Sequence, residues 1–147
     1  MKLFQIEEPD GAPVDPSAPG AAIGIDTSGV EAQVGFSVGG NAVVLFDREG
    51  FERTLPVPAA TTATAEWQEL FEMAKVRAER ALARPVTHAV IVLAEPVTAD
   101  TAESLSAVAA EIGMAVLRFA SRAELPVGSR PALAAAILAE DLAPRPS

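Results

Sequence analysis

"AAIGIDTSGVEAQVGFSVGG", residues 21–40, is the stretch on which the reading of the fold turns. Ala21 to Asp26 is an apolar strand that ends in a carboxylate, and Glu31 to Val38 is strand-like again, so the segment reads as a hairpin. Asp26, Thr27, Ser28 and Gly29 stand together at its turn. A turn of this kind can aim backbone N–H groups at a phosphate, or its aspartate can simply close the turn on itself. Val30 and Glu31 follow where a phosphate cradle would continue with glycine and threonine.

Working outward, Gly39-Gly40 make the next turn and Asn41 to Phe46 a third strand. "DREG" at 47–50 is another turn, and "FERTLPV" at 51–57 adds a short strand limited by Pro56 and Pro58. Gly39, Gly40 and Gly50 serve as turn glycines. At Thr64 the period changes: Trp67, Leu70, Phe71, Ala74, Ala78, Ala81 and Leu82 recur at helical spacing, with Trp67 read as core. The hydroxyl-rich "TTATAE" at 61–66 should cap this helix, and Arg84-Pro85 should end it. Lys75, Arg77 and Arg80 alternate with Glu72 and Glu79 on a solvated face with i,i+4 pairs.

"THAVIVLA" at 87–94 is a continuous apolar run, as in a strand covered on both faces. His88 within it stands without a second ligand nearby in sequence and is read as structural. A second helix follows, with Asp100 as N-cap, Glu103 at N3, an apolar row of Leu105, Val108, Ala109 and Ile112, and Gly113 as its stop. "AVLRFA" at 115–120 is a fifth strand. The last helix, Pro131 to Leu142, is apolar nearly all round, so it is either enclosed or covered by a partner. Leu133, Ile137 and Leu138 are therefore candidate interface residues.

The expected order is β-β-β-α-β-α-β-α, an α/β domain with a mixed five-stranded sheet and helices on its faces. Residues 1–20 read as an extended proline- and glycine-rich lead, 21–142 as one domain and 143–147 as a C-terminal fray. Half of the 147 residues are hydrophobic, enough for a real core. There is no cysteine, which excludes thiol catalysis and thiolate metal sites. The net charge of −9 opposes nucleic acid and anionic membrane surfaces as partners. "MKLFQIEEPD" lacks the apolar core of a secretion signal, and no apolar run approaches the roughly 20 residues that span a bilayer. A cytoplasmic protein is expected.

Several separated stretches resemble the front of a DnaK-type heat-shock chaperone, in particular its iron-sulfur-assembly branch, HscA. "LFQIEEP" resembles that branch's leader, and "AIGIDTS" takes the place of "AVGIDLGTTNS". "AVVLFDREGFERTLPV" and "VTHAVIVLAEPVTADTAESLSAVAAEIGMAVLRF" are similar to later segments of the family in the same order. The resemblance implies a ribonuclease H-like fold, one lobe of an actin-type ATPase. It also implies a role for Asp26 in organising magnesium-bound water beneath phosphates, with Thr27, Ser28 and Gly29 as a degenerate nucleotide turn. The family's phosphate lysine lies in an insertion absent here, its second lobe is absent, and its catalytic glutamate falls on Arg122 or Arg130, according to the alignment register. A cation at that point cannot act as a carboxylate does. The opening "GIDTSGVEAQVGF" also resembles TsaB, the non-catalytic scaffold of a tRNA-modifying complex, although that family's later glycine-rich segment has no counterpart.

The expectation is a pseudo-ATPase with no catalytic residue, no resident cofactor and at most weak ATP or magnesium binding. It would serve as an interaction or regulatory module for a protein partner or for self-association, in chaperone or iron-sulfur assembly. The alternatives are an ATPase lobe completed by a second chain and a TsaB-like scaffold.

Overall fold

The computed structural model describes residues 20–45, 55–59, 63–125 and 128–143. Strands β1 (Ala21–Thr27), β2 (Gln33–Val38) and β3 (Asn41–Leu45) lead into helix α1 (Thr64–Leu82). Then come β4 (Val86–Leu93), α2 (Ala99–Glu111), β5 (Ala115–Ser121), a single 3₁₀ turn at Arg122–Glu124, and α3 (Pro131–Leu142). The strands form one sheet in the order β3-β2-β1-β4-β5. β2 runs antiparallel to both β1 and β3, whereas β1, β4 and β5 run parallel to one another. The expected mixed sheet and element order are both present.

β1 is buried along its whole length because it lies at the centre of the sheet with helices on both faces. Ile23, Ile25, Val34, Leu45 and Ile91 face α1 and α2, where Trp67, Leu70, Phe71, Ala74 and Leu105 complete the larger core. Trp67 packs against Phe71 with ring centroids 5.7 Å apart, as its spacing implied. The opposite face is filled differently: Ala22, Val90 and Val92 meet Ala135 and Ala139 of α3. A Cβ on Gly24 would come within 2.5 Å of the Ala136 backbone nitrogen, and one on Gly35 within 2.6 Å of the Ala132 oxygen. Two glycines of the sheet and four alanines of the helix thus form a seam in which backbone meets backbone.

Several local expectations change. β2 begins at Gln33 rather than Glu31, because Glu31 turns away to bridge Pro56. The N–H of Ala32 donates to the Leu55 carbonyl at 2.7 Å and that of Val57 to the Val30 carbonyl at 3.0 Å, so residues 55–57 add a short rung beside the turn. The N-cap of α1 is Ala63, which makes no side-chain bond; Thr64 is already helical. The helix ends before Arg84, at Ala83 in the left-handed conformation with φ 57°. The cap of α2 is Thr98, not Asp100: its hydroxyl accepts the Thr101 N–H at 3.2 Å. Thr98 itself is extended and the helix starts at Ala99, so Asp100 instead places charge in its first turn. Gly113, with φ 85°, stops α2 as expected, and β5 runs one residue further, to Ser121.

The expected i,i+4 pairing on α1 is realised by Lys75 and Glu79 at 2.8 Å. The Glu79 carboxylate also accepts the Val86 N–H at 2.9 Å, tying the helix to the start of β4. The lead at 1–19, Phe46, the turn at 47–50 with Gly50, residues 51–54, Thr61 and Thr62, and the fray from 144 lie outside the described residues. Among the described residues no helix is long and apolar enough to cross a membrane.

Candidate functional site

The parallel registers set the carboxyl ends of three strands side by side: Asp26 lies opposite Val92, Thr27 opposite Leu93, and Leu93 opposite Ser121. A ligand-binding crevice in an open α/β sheet forms at such an end. Asp26 and Thr27 are both buried there, Ser28 is half-buried and Gly29 is exposed. The four residues are therefore contiguous in space as well as in sequence.

Oδ1 of Asp26, the Thr27 hydroxyl and both the N–H and the hydroxyl of Ser28 are already engaged. Oδ1 of Asp26 accepts the Ser28 N–H at 2.9 Å and the Ser28 hydroxyl at 2.6 Å, the geometry of an aspartate closing its own turn. The Thr27 hydroxyl, between β1 and β4, donates to the Val92 carbonyl at 2.7 Å. Alternation along β1 puts Asp26 on the same face as Gly24, the face that α3 covers. Val30 at the apex is 86% exposed, so the turn meets solvent with an apolar side chain. The first N–H that could greet an anion, that of Ser28, is held by the protein's own carboxylate.

Both arginines that the alignment could place at a glutamate position are exposed. Arg122 begins the 3₁₀ turn immediately after β5, and Arg130 is the N-cap of α3. The adjacent Glu124 accepts the Ser121 N–H at 2.8 Å. His88 sits near the opposite, amino end of β4, where its Nδ1 and the Thr87 hydroxyl are 2.7 Å apart. Among the described residues no group of three His, Asp or Glu is disposed to hold a metal ion.

The interface candidates divide. Ile137 is 38% exposed and Leu133, one turn before it, is half-buried, whereas Leu138 packs partly into the second core beside Val90 and Val92. The sequence reads as a helix apolar nearly all round; its small residues face the sheet and Leu133 and Ile137 do not. A group that this reading misses altogether is Glu140. That carboxylate takes the Ser37 hydroxyl at 2.8 Å, the Gly39 N–H at 2.6 Å and the Gly40 N–H at 3.0 Å, clamping the β2–β3 hairpin to α3. Its only forewarning is an acid near the end of an apolar helix together with two adjacent turn glycines.

No family model matches the chain, and no curated protein matches it in sequence. A solved structure does resemble it: the ethanolamine utilization protein EutJ from Carboxydothermus hydrogenoformans, with a TM-score of 0.51 and 15% identity. The similarity covers 74% of this chain and 39% of that one, so the chain spans well under half the length of its structural neighbour. The likeness is one of fold, a mixed five-stranded α/β sheet with helices on its faces.

Proposed function

We propose that the chain is a non-catalytic interaction or regulatory module built on an actin-like ATPase lobe. The carrying observation is the closed turn at Asp26, whose Oδ1 holds both polar groups of Ser28 while Thr27 bonds the Val92 carbonyl. Phosphoryl transfer asks a protein chiefly for positioned charges and donors, and here the Ser28 N–H, both hydroxyls and one Asp26 oxygen are already committed within the fold. A phosphate that took the Ser28 N–H would first have to open that turn. Calorimetry with ATP and magnesium is expected to show no affinity tighter than about millimolar, a free energy near 4 kcal/mol. Micromolar binding, with turnover lost in Asp26→Ala, would refute the non-catalytic reading.

The module's docking surface is the outward row of α3, Leu133 and Ile137, and its partner is a protein offering a basic amphipathic segment. α3 contains Glu140 and Asp141 and no lysine or arginine, in a chain of net charge −9. The resemblance to HscA points such a partner toward chaperone or iron-sulfur assembly work. Cross-linking mass spectrometry from the native cell should place the partner's basic segment on this helix, and Ile137→Asp should abolish that link. A partner retained undiminished by Ile137→Asp would dismiss α3 as the surface.

A second reading is an ATPase lobe completed by another chain, and the alignment of the β1, β4 and β5 ends favours it. Hydrolysis that appears only when the co-purified partner is added, and that needs Asp26, would select it.

A further inference from the structure

β3 ends the sheet, and among the described residues no strand pairs with its outer edge. We propose that this edge pairs antiparallel with β3 of a second copy of the chain, fusing two five-stranded sheets across a two-fold axis at Val43. The proposal is independent of partner docking on α3.

The hairpin register determines which groups are offered. Gly39 and Gly40 have φ of 60° and 84°, a two-residue turn whose flanking residues Val38 and Asn41 pair, followed by Phe36 with Val43 and Val34 with Leu45. Pairs flanking such a turn exchange hydrogen bonds, and the pattern alternates along the ladder. Asn41, Val43 and Leu45 therefore bond inward to β2, while Ala42 and Val44 turn their N–H and C=O groups to the open side. A two-fold axis at Val43 sets Ala42 of one copy against Val44 of the other, overlaps all five residues of each strand, and uses every outward group.

Further observations favour a second copy as the occupant. Natural edge strands are usually blunted by lysine, proline or charge, yet residues 33–45 contain none of these. In a chain of net charge −9, that uncharged strip is where two copies can meet without opposing like charges. Val43 is 54% exposed, and the axis puts it against its own counterpart in a non-hydrogen-bonded pair, the closer of the two spacings. The Glu140 clamp on Ser37, Gly39 and Gly40 holds the hairpin in place beforehand, so little order has to be gained on pairing. The contact is small beside the 1,200–2,000 Å² or so of a stable interface, which makes the dimer weak and dependent on concentration.

The test joins sedimentation velocity over a range of concentrations with single-cysteine cross-linking, which the cysteine-free chain permits. Wild type should pass from monomer to dimer as concentration rises. Ala42→Pro should stay monomeric with an unchanged circular dichroism spectrum, because it removes an outward N–H and none that bonds β2. Val43→Cys should form a disulfide dimer at least tenfold faster under mild oxidation than Val76→Cys, a site on α1 that is 49% exposed. If Ala42→Pro fails to fold, the cysteine pair decides alone. A monomer at every concentration, equal cross-linking at both positions, or a dimer abolished by Ile137→Asp instead would overturn the proposal.

Discussion

Replacing Gly24 by alanine isolates the seam between β1 and α3. The added Cβ would lie 2.5 Å from the Ala136 nitrogen, 2.6 Å from the Ala135 carbonyl carbon and 2.6 Å from the Ala135 Cβ, against ordinary contact at 3.4 Å and beyond. Two of the three obstacles are backbone, so no rotamer change relieves them; the helix must retreat by nearly 1 Å. Overpacking of this kind costs about 1–3 kcal/mol. The loss of glycine's freedom in the unfolded chain returns about 0.5–1 kcal/mol of that. A net destabilisation of about 1 kcal/mol follows, or about 3–5 °C in melting temperature for a domain of this size. Differential scanning calorimetry reads it directly. Gly29→Ala serves as control, since its Cβ would meet nothing nearer than the Glu31 oxygen at 3.8 Å. The double variant Gly24→Ala/Ala135→Gly should recover little, because it removes only the side-chain obstacle. A Gly24→Ala melting temperature within 1 °C or so of wild type, or full rescue by Ala135→Gly, would refute the account of backbone against backbone.

Ala83→Gly should stabilise the protein by about 0.5 kcal/mol in a urea titration: it relieves about 1 kcal/mol of left-handed strain at φ 57° and gives back part of that as unfolded-state entropy. Glu140→Gln loses the charge and turns one of the two accepting oxygens into a donor, so stability should fall by about 1–3 kcal/mol and hydrogen exchange should quicken at the Gly39 and Gly40 amides while β1 stays protected.

The sheet was legible because its strands obey local rules. β4 reads as a strand covered on both faces from "THAVIVLA" alone, and the change of period at Thr64 marks where the meander gives way to helices. Where two signals competed, the nearer chemistry won: Asp100 with Glu103 looks like a capping box, yet Thr98 stands ahead of both and takes the role. The site was legible as a location and not as a state. Asp26 at a strand end is visible in sequence, but whether its oxygen faces a ligand or Ser28 depends on the conformation of the turn, whose far side is bonded to residues 55–57. For the same reason the Glu140 clamp stayed hidden, since it joins residues about a hundred positions apart.

The glycine-alanine seam has a consequence for how this protein can change over generations. α3 is anchored by the absence of side-chain volume on its inner side, where Ala132, Ala135, Ala136 and Ala139 are buried and any Cβ at Gly24 or Gly35 meets main chain, so that side has little room for substitution. The residues that give the helix its outward character, Leu133 and Ile137, contribute little to that anchorage and can be exchanged at slight cost to the fold. Inheritance can therefore rewrite what the helix recognises while leaving untouched how it is held, and the two properties can drift separately along one twelve-residue element.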